Sequence, residues 1–282
     1  TTMRTGLNGE FSAEGRLTGT GDLEVGARVR LDSSGALGYR LDRADLGIEL
    51  GGDRLRSELR AATPYAEIEG RADLRPYAQP LELTSARIDF SDLDVGLLIA
   101  DTSSSSRLAG SLLLEARGTA FEDLVGRAEL RLDSSRINRQ PIEGASLELA
   151  LDRRTAELTG TLTTPAGGLE VAGSAAPASP DLRYEIDRLD FRNIDLGAWS
   201  GASALETALT GRATGWSYRV HSDDPEGALS LRLDSSRVNG GHLSAAQLDA
   251  NLREGTITWS GGMEGPYGSA GLDGRVAPFE AD

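Results

Sequence analysis

The pentapeptide Arg-Leu-Asp-Ser-Ser occurs three times in the chain, at residues 30–34, 131–135 and 232–236, so that successive copies are 101 residues apart. The same offset also relates Pro64, Pro165 and Pro266; Leu46, Leu147 and Leu248; and Gly9, Gly110 and Gly211. Self-similarity at one fixed period is the sequence signature of a repeat architecture. We therefore divide the chain into two full repeats, 1–101 and 102–202, and a truncated third repeat, 203–282.

Within each repeat, apolar residues recur at every second position. In the second repeat Leu147, Leu149 and Leu151 are separated by Glu148 and Ala150. This period is typical of β-strands that bury one face and expose the other. Strings rich in Pro, Gly, Ser and Asp separate the alternating segments, as expected for turns. The pattern predicts about six strands per repeat, connected as a meander.

Two irregularities interrupt the alternation. The step from Leu41 to Ala44 is three residues long where two are expected, and residues 142–145 and 243–246 repeat it. A similar step leads from Ile186 to Leu189. Each step predicts a β-bulge, which bends a strand and increases its twist. Bulges in the same register of every repeat predict a consistently curved sheet.

One short segment per repeat has a helical pattern. Residues 95–100 follow Asp94, and residues 196–199 follow Asp195, which places an aspartate at each predicted N-cap. Helix of this length is too short to cover a sheet. We therefore interpret these segments as crossovers between successive repeats.

A sheet with one apolar face must bury that face against something. The face is buried in a sandwich of two sheets, in a closed barrel, or in a sheet that folds lengthwise into a groove open to a guest. Aromatic residues make up only 5% of the chain, and a strand pattern resumes soon after Ser106, which disfavours independent sandwiches. The sequence therefore predicts an all-β fold: a curved, lengthwise-folded antiparallel sheet with an open hydrophobic groove, the form called a β-taco.

Composition excludes several classes of function. The net charge is −15, and all basic residues are arginine, so nucleic acid and anionic membrane surfaces are poor partners. The absence of cysteine excludes disulfides, thiolate metal sites and thiol catalysis. The sequence has neither a signal-peptide pattern nor an apolar run long enough to span a bilayer, and we expect the chain to be a fragment of a longer protein.

No residue set predicts an enzyme, a cofactor or a metal. His221 and His242 are not repeated at the 101-residue offset, so we expect them to be solvated turn residues. Asp89, Asp92 and Asp94 resemble part of a calcium loop, but its glycine and its terminal glutamate are missing, which favours capping and turn formation. No His or Lys recurs beside Asp-Ser-Ser to activate a nucleophile, which favours side-chain-capped turns there.

Several strings resemble the periplasmic repeats of the AsmA-like superfamily, most closely its TamB branch of translocation and assembly module proteins. They are AELRLDSSRINRQPIEGASLELALD at 128–152, LEVAGSAA at 169–176 and YEIDRLDFRNIDLGAWS at 184–200, with counterparts at 27–50, 86–101 and 228–252. The resemblance is one of pattern, without a catalytic motif, and it covers essentially the whole chain. It implies a β-groove that shields phospholipid acyl chains crossing between the inner and outer membranes. It further implies a periplasmic location, an inner-membrane anchor absent from this fragment, and membrane-protein partners at either end, including an outer-membrane barrel.

We therefore expect bridge-like lipid transport, with phospholipid or another acyl-chain lipid as the partner. A tandem-sandwich stalk of a surface or adhesive protein, and an assembly factor for outer-membrane β-barrel proteins, remain open as alternatives. The residues predicted to line the groove are aliphatic and lie at alternating positions. They are Leu31, Leu46, Ile48, Leu50, Leu130, Leu132, Leu147, Leu149, Leu151, Leu231, Leu233, Leu248 and Leu252.

Overall fold

The computed structural model describes residues 6–17, 23–36, 39–98, 105–120, 123–137, 140–176, 183–200, 204–219 and 226–276. The chain forms two compact units, residues 1–144 and 145–282, so the division between units falls inside the second repeat. Strands predominate in both units, and the two described helices are single turns. The predicted all-β class is confirmed, and the sheet is antiparallel and not closed into a barrel.

The first unit is an antiparallel meander. Its elements are β1 (Gly9–Leu17), β2 (Leu23–Ala36), β3 (Tyr39–Gly51), β4 (Arg54–Thr63), β5 (Ala66–Arg75), β6 (Glu82–Leu93), α1 (Val95–Leu98), β7 (Ser106–Arg117), β8 (Val125–Leu132), β9 (Ser135–Ile137) and β10 (Gln140–Ile142). Each strand from β1 to β8 pairs with the next. The small hairpin β9–β10 joins the start of β7 through β9. The eight long strands thus make one sheet rather than two stacked sheets.

The second unit repeats this arrangement. Its elements are β11 (Gly144–Asp152), β12 (Thr155–Thr164), β13 (Gly167–Ala176), β14 (Arg183–Ile194), α2 (Leu196–Ser200), β15 (Thr207–Arg219), β16 (Gly227–Leu233), β17 (Ser236–Val238), β18 (Gly241–Leu243), β19 (Ala245–Arg253), β20 (Thr256–Gly265) and β21 (Gly268–Val276). The strands β12 to β16 pair in sequence, and β16 then pairs with β19, β19 with β20 and β20 with β21. The hairpin β17–β18 joins the start of β15.

The first predicted bulge is wrong, because the three-residue step occurs on both paired strands. In the first repeat Leu31 lies opposite Ala44 and Ser34 lies opposite Leu41, so the register is unchanged across the step. Ser33 between them has a positive φ of 47°. Both strands change face together here, and neither contains an extra residue. At the equivalent points of the other repeats the strand divides into two, as between β8 and β9.

The second predicted bulge is confirmed. In the pairing of β13 with β14, Ala172 lies opposite Arg188 and Gly173 lies opposite Ile186, which leaves Asp187 as the extra residue. The pattern did not predict a further irregularity at the ends of β6 and β14. Asp92 and Asn193 each have a φ of 53° there, a conformation that Asn and Asp tolerate better than most residues.

The last serine of each Asp-Ser-Ser motif bonds to a backbone residue 26 positions earlier, at or beside the start of β1, β7 or β15. The Ser135 hydroxyl accepts the N–H of Ala109 at 3.0 Å and donates to the Ala109 carbonyl at 3.3 Å. Ser34 bonds to Asn8 in the same way, and Ser236 to Thr210. These three serines are the buried polar residues of the described chain, with exposures of 3 to 8%. The motif is therefore a link between strands as well as a turn.

The helical turns begin at the predicted N-caps. The Asp195 carboxylate accepts the N–H groups of Gly197 at 3.0 Å and Ala198 at 3.2 Å, and Asp94 caps α1 in a similar way. A hydroxyl at the start of the next strand completes each turn. The Thr207 hydroxyl accepts the N–H of Leu196 at 2.7 Å and donates to the carbonyl of Ile194. Neither described helix has the length and apolar character needed to cross a bilayer.

Candidate functional site: the apolar face of each unit

One face of the first unit is apolar across eight strands. The antiparallel register aligns the apolar residues of β1 to β8 in rows that run across the strands. Two of the rows are Phe11, Val29, Leu46, Leu59, Gly70, Ile88, Leu112 and Leu130, and Gly9, Leu31, Ala44, Ala61, Ile68, Phe90, Gly110 and Leu132. We call this surface the apolar face. It is uninterrupted by charge along these rows.

The second unit has an apolar face of the same kind. Its rows extend from β12 to β21, again by direct pairing of each strand with its neighbour. Two of them are Leu162, Leu169, Phe191, Gly211, Leu233, Ala246, Met263 and Ala270, and Gly160, Val171, Leu189, Ala213, Leu231, Leu248, Gly261 and Leu272. Glycines in the rows allow larger neighbours to spread: a Cβ added at Gly211 would lie 3.0 Å from the Phe191 ring.

The apolar faces are only half-buried. Along β4 the exposed residues Arg54, Arg56 and Glu58 alternate with the half-buried residues Leu55 and Ser57. Among the described residues no side chain is fully buried, and the buried apolar residues are mostly alanines. A sheet covered by a second layer would enclose its leucines. The described part of the chain therefore leaves the aliphatic surface of each unit without a lid.

The opposite face carries an arginine–carboxylate lattice, which we call the charged face. Arg30 pairs with Asp45 at 3.3 Å across β2 and β3, and Arg56 pairs with Asp73 at 3.2 Å across β4 and β5. Opposite charges on adjacent strands stabilise their register modestly, and charge keeps an exposed face from associating. The two faces of each sheet thus differ sharply in polarity.

Two aspartates on the charged face have shifted pKa values. Hydrogen bonding and charge from Arg212 hold the pKa of Asp190 below its ordinary value, with smaller contributions from Arg188 and Arg192. Hydrogen bonding from Arg87 lowers the pKa of Asp89 in the same way. Both carboxylates are thereby kept ionised. These contacts are ion pairs between strands or along one strand, and the described residues include no group of three or more His, Cys, Asp or Glu side chains that could hold a metal ion.

The hollows in the first unit lie mainly at the charged face. One of them has a volume of about 610 Å³, and its lining includes Glu14, Glu49 and Arg56 around Gly26. A hollow of similar size adjoins Gly47, to which no other part of the protein approaches within 4 Å of an added Cβ. These hollows lie where a glycine occupies a position on the charged face. Their exposed arginines and glutamates make them unsuitable for an acyl chain, so the apolar face is the better candidate site.

The predicted lining residues lie on the apolar faces. Leu31, Leu46, Ile48, Leu50, Leu130 and Leu132 belong to the cross-strand rows of the first unit, and Leu231, Leu233, Leu248 and Leu252 to those of the second. Leu147 contacts the position of Gly160 and shares its side of β11 with Leu149 and Leu151. Leu147 is the most exposed of the set, at 38%. Their contact with lipid remains a prediction.

Sequence reasoning missed apolar residues on the strands between those it chose. Leu59, Ile88 and Leu112 continue the row of Leu46 in the first unit, and Val171 and Leu189 continue the row of Leu231 in the second. Period-two alternation in β4, β6, β7, β13 and β14 was the signal that would have identified them.

The other candidate residues take structural positions. Asp89 bonds to Arg87, Asp92 pairs with Arg107 at 3.3 Å, and Asp94 caps α1. His242 is exposed, with its Nε2 at 3.1 Å from the Ser235 hydroxyl. His221 lies outside the described residues.

No protein-family model, curated protein or solved structure matches the chain.

Proposed function

We propose that the chain carries lipid acyl chains along its apolar faces. The observation that supports this proposal is the set of aliphatic rows that cross eight paired strands of the first unit and are not enclosed by any described element. An acyl chain that lies on such a surface is shielded from water on one side. The charged face on the other side of the sheet stays in contact with water. The pattern resemblance to the AsmA-like superfamily points the same way, and with it we propose a periplasmic location between two membranes.

The energetics suit loose binding. Burying a methylene against an apolar wall is favourable by about 0.8 kcal/mol before the cost of ordering the chain. Eight strands at a spacing of about 4.8 Å extend roughly 34 Å, about twice the thickness of one lipid leaflet's hydrocarbon layer. Because the rows described above contain no charged residue, each methylene meets much the same surroundings at successive strands. We therefore propose that acyl chains slide along the rows without a fixed stopping point.

The alternative of a tandem-sandwich stalk requires two stacked sheets in each repeat. The strands β1 to β6, which make up the first repeat, form a single meander, and this favours the lipid proposal. An assembly factor for outer-membrane β-barrel proteins would use sheet edges rather than the apolar face. The two functions therefore predict different sensitive residues.

The test is native mass spectrometry of gently purified protein, with the bound lipid quantified after extraction. The informative variant is Leu112→Arg, because Leu112 lies in an aliphatic row between Ile88 and Leu130. Its matched control is Leu113→Arg, because Leu113 lies on the opposite face between Arg87 and Glu129. We expect Leu112→Arg to lower the bound lipid severalfold and Leu113→Arg to leave it near the wild-type amount.

Circular dichroism should show that both variants retain their strand content. Equal loss of lipid in both variants, or wild-type protein that never carries lipid even after incubation with phospholipid vesicles, would contradict the proposal.

A further inference from the structure

The outer edge of β1 is unpaired within the described chain. β1 pairs with β2 on one side only, and all nine of its residues are exposed. Its apolar residues are unusually accessible: Phe11 is 70% exposed and Leu17 is 73% exposed. An unpaired strand edge presents free N–H and C=O groups that accept another strand. The repeat indicates what kind of strand fits.

The equivalents of β1 in the other repeats are β7 and β15. On the side that is free in β1, β7 pairs with β6, and β15 pairs with β14. Phe90 of β6 lies opposite Gly110, and Phe191 of β14 lies opposite Gly211. The glycine at this position in β1 is Gly9.

Glycine is required at this position by the neighbouring strand. A Cβ on Gly110 would collide with the backbone carbonyl of Arg131, and one on Gly9 would collide with that of Arg30. In β15 the aromatic ring of the added strand lies over the glycine, with Phe191 Cζ 3.0 Å from the position of the missing Cβ. The same position on β1 is therefore suited to a phenylalanine from an added strand.

The residue after this glycine differs among the three equivalent strands. Asp89 of β6 lies opposite Ser111, and Asp190 of β14 lies opposite Arg212, to which it is hydrogen-bonded. The equivalent residue of β1 is Glu10. An aspartate opposite Glu10 would place like charges on adjacent strands, which is unfavourable. The strand that fits β1 therefore differs from β6 and β14 at the position opposite Glu10.

We propose that the free edge of β1 binds an antiparallel strand from another repeat of this kind. That strand carries phenylalanine opposite Gly9, an aliphatic residue opposite Phe11, and an uncharged or basic residue opposite Glu10. Direct pairing of β1 with β21 of a second copy is disfavoured, because the equivalents of these two strands always have a β6-type strand between them.

The test uses the full chain and a synthetic peptide of residues 82–93, ELTSARIDFSDL, together with its Asp89→Arg variant. Hydrogen exchange followed by mass spectrometry reports protection of amides 9–17. We expect both peptides to protect β1, with the Asp89→Arg peptide binding about two- to fivefold more tightly, the range expected for one cross-strand charge pair. In the protein variant Glu10→Arg the preference should reverse, as the pair Arg212–Asp190 indicates.

Two controls keep the result specific. If Glu10→Arg does not fold, Glu10→Gln takes its place, and this variant should bind the two peptides equally well. Glu264→Arg on β20 should leave the preference for the Asp89→Arg peptide unchanged. Protection confined to residues 268–276, an equal affinity for both peptides, or head-to-tail association of the protein without peptide would overturn the proposal.

Discussion

The hydroxyl of Ser135 accepts a hydrogen bond from the N–H of Ala109 and donates one to the carbonyl of the same residue, across a separation of 26 positions. Ser34 and Ser236 make the same pair of bonds in the other repeats, at the same separation. Each bond pair satisfies backbone groups at the point where the paired strands change face. The serine hydroxyl thus takes the place of one pair of backbone hydrogen bonds between strands.

Removing this hydroxyl should destabilise the first unit. Ser135→Ala leaves an N–H and a carbonyl of Ala109 without their partner, and we expect a loss of about 1–3 kcal/mol in the free energy of unfolding. Ser134→Ala is the matched control, because Ser134 is exposed and should change stability by less than about 0.5 kcal/mol. Urea denaturation measures both. Equal midpoints for the two variants would show that the link carries no stability.

One hydroxyl supports the turn after β14 together with the Asp195 cap. The Thr207 hydroxyl bonds to both Leu196 and Ile194. Thr207→Val keeps the shape but removes both bonds, with an expected loss of about 1–2 kcal/mol, whereas Thr207→Ser should retain most of the stability. Hydrogen exchange at the Leu196 amide should accelerate only in the valine variant. Faster exchange in the serine variant but not in the valine variant would assign the effect to packing of the methyl group.

The row glycine Gly211 should not tolerate a methyl group. At Gly211 an added Cβ would meet the Arg232 carbonyl and the Phe191 ring, so Gly211→Ala should cost about 1–3 kcal/mol. Gly47→Ala on the charged face is the control, since nothing lies within 4 Å of its added Cβ and the substitution reduces the freedom of the unfolded chain. Thermal unfolding should show a lower transition temperature for Gly211→Ala only. A wild-type transition in that variant would mean that the strands separate at no cost.

The ion pair between Arg212 and Asp190 should make the free energy of unfolding depend on pH in the acid range. Because Arg212 lowers the pKa of Asp190 in the folded state, the stabilisation is present above the ordinary carboxyl pKa of 3.8 and is lost as the pH falls through the folded value. Arg212→Gln should therefore be less stable than wild type at neutral pH, and the two proteins should converge in acid. NMR titration of Asp190 should show its pKa rising toward the ordinary value in the variant. An unchanged pKa would exclude Arg212 as the cause.

Alternation and offset were sufficient to predict the strands, the two capped turns and the polarity of the faces. They were insufficient at Leu41 and Ala44, because a three-residue step on one strand looks like a bulge until its partner is known to step as well. The role of Ser135 was also out of reach, since a serine in a turn sequence bonds locally as readily as it bonds to a strand 26 positions away. The matched step and the partner of Ser135 both depend on which residues pair across the strands. This pairing cannot be read from the sequence of a single repeat.

The matched step at Leu31–Ser34 and Leu41–Ala44 couples the lengths of two neighbouring strands. Deleting one residue from either strand alone would move the side chains of that strand's tip to the opposite face of the sheet. It would also move the serine out of reach of its hydrogen-bond partner. Length variation at this point is therefore tolerated only in the turn or as compensating changes on both strands. Natural variants of such repeats should accordingly differ in the length of the tip loop and keep both three-residue steps, from Leu31 to Ser34 and from Leu41 to Ala44, unchanged.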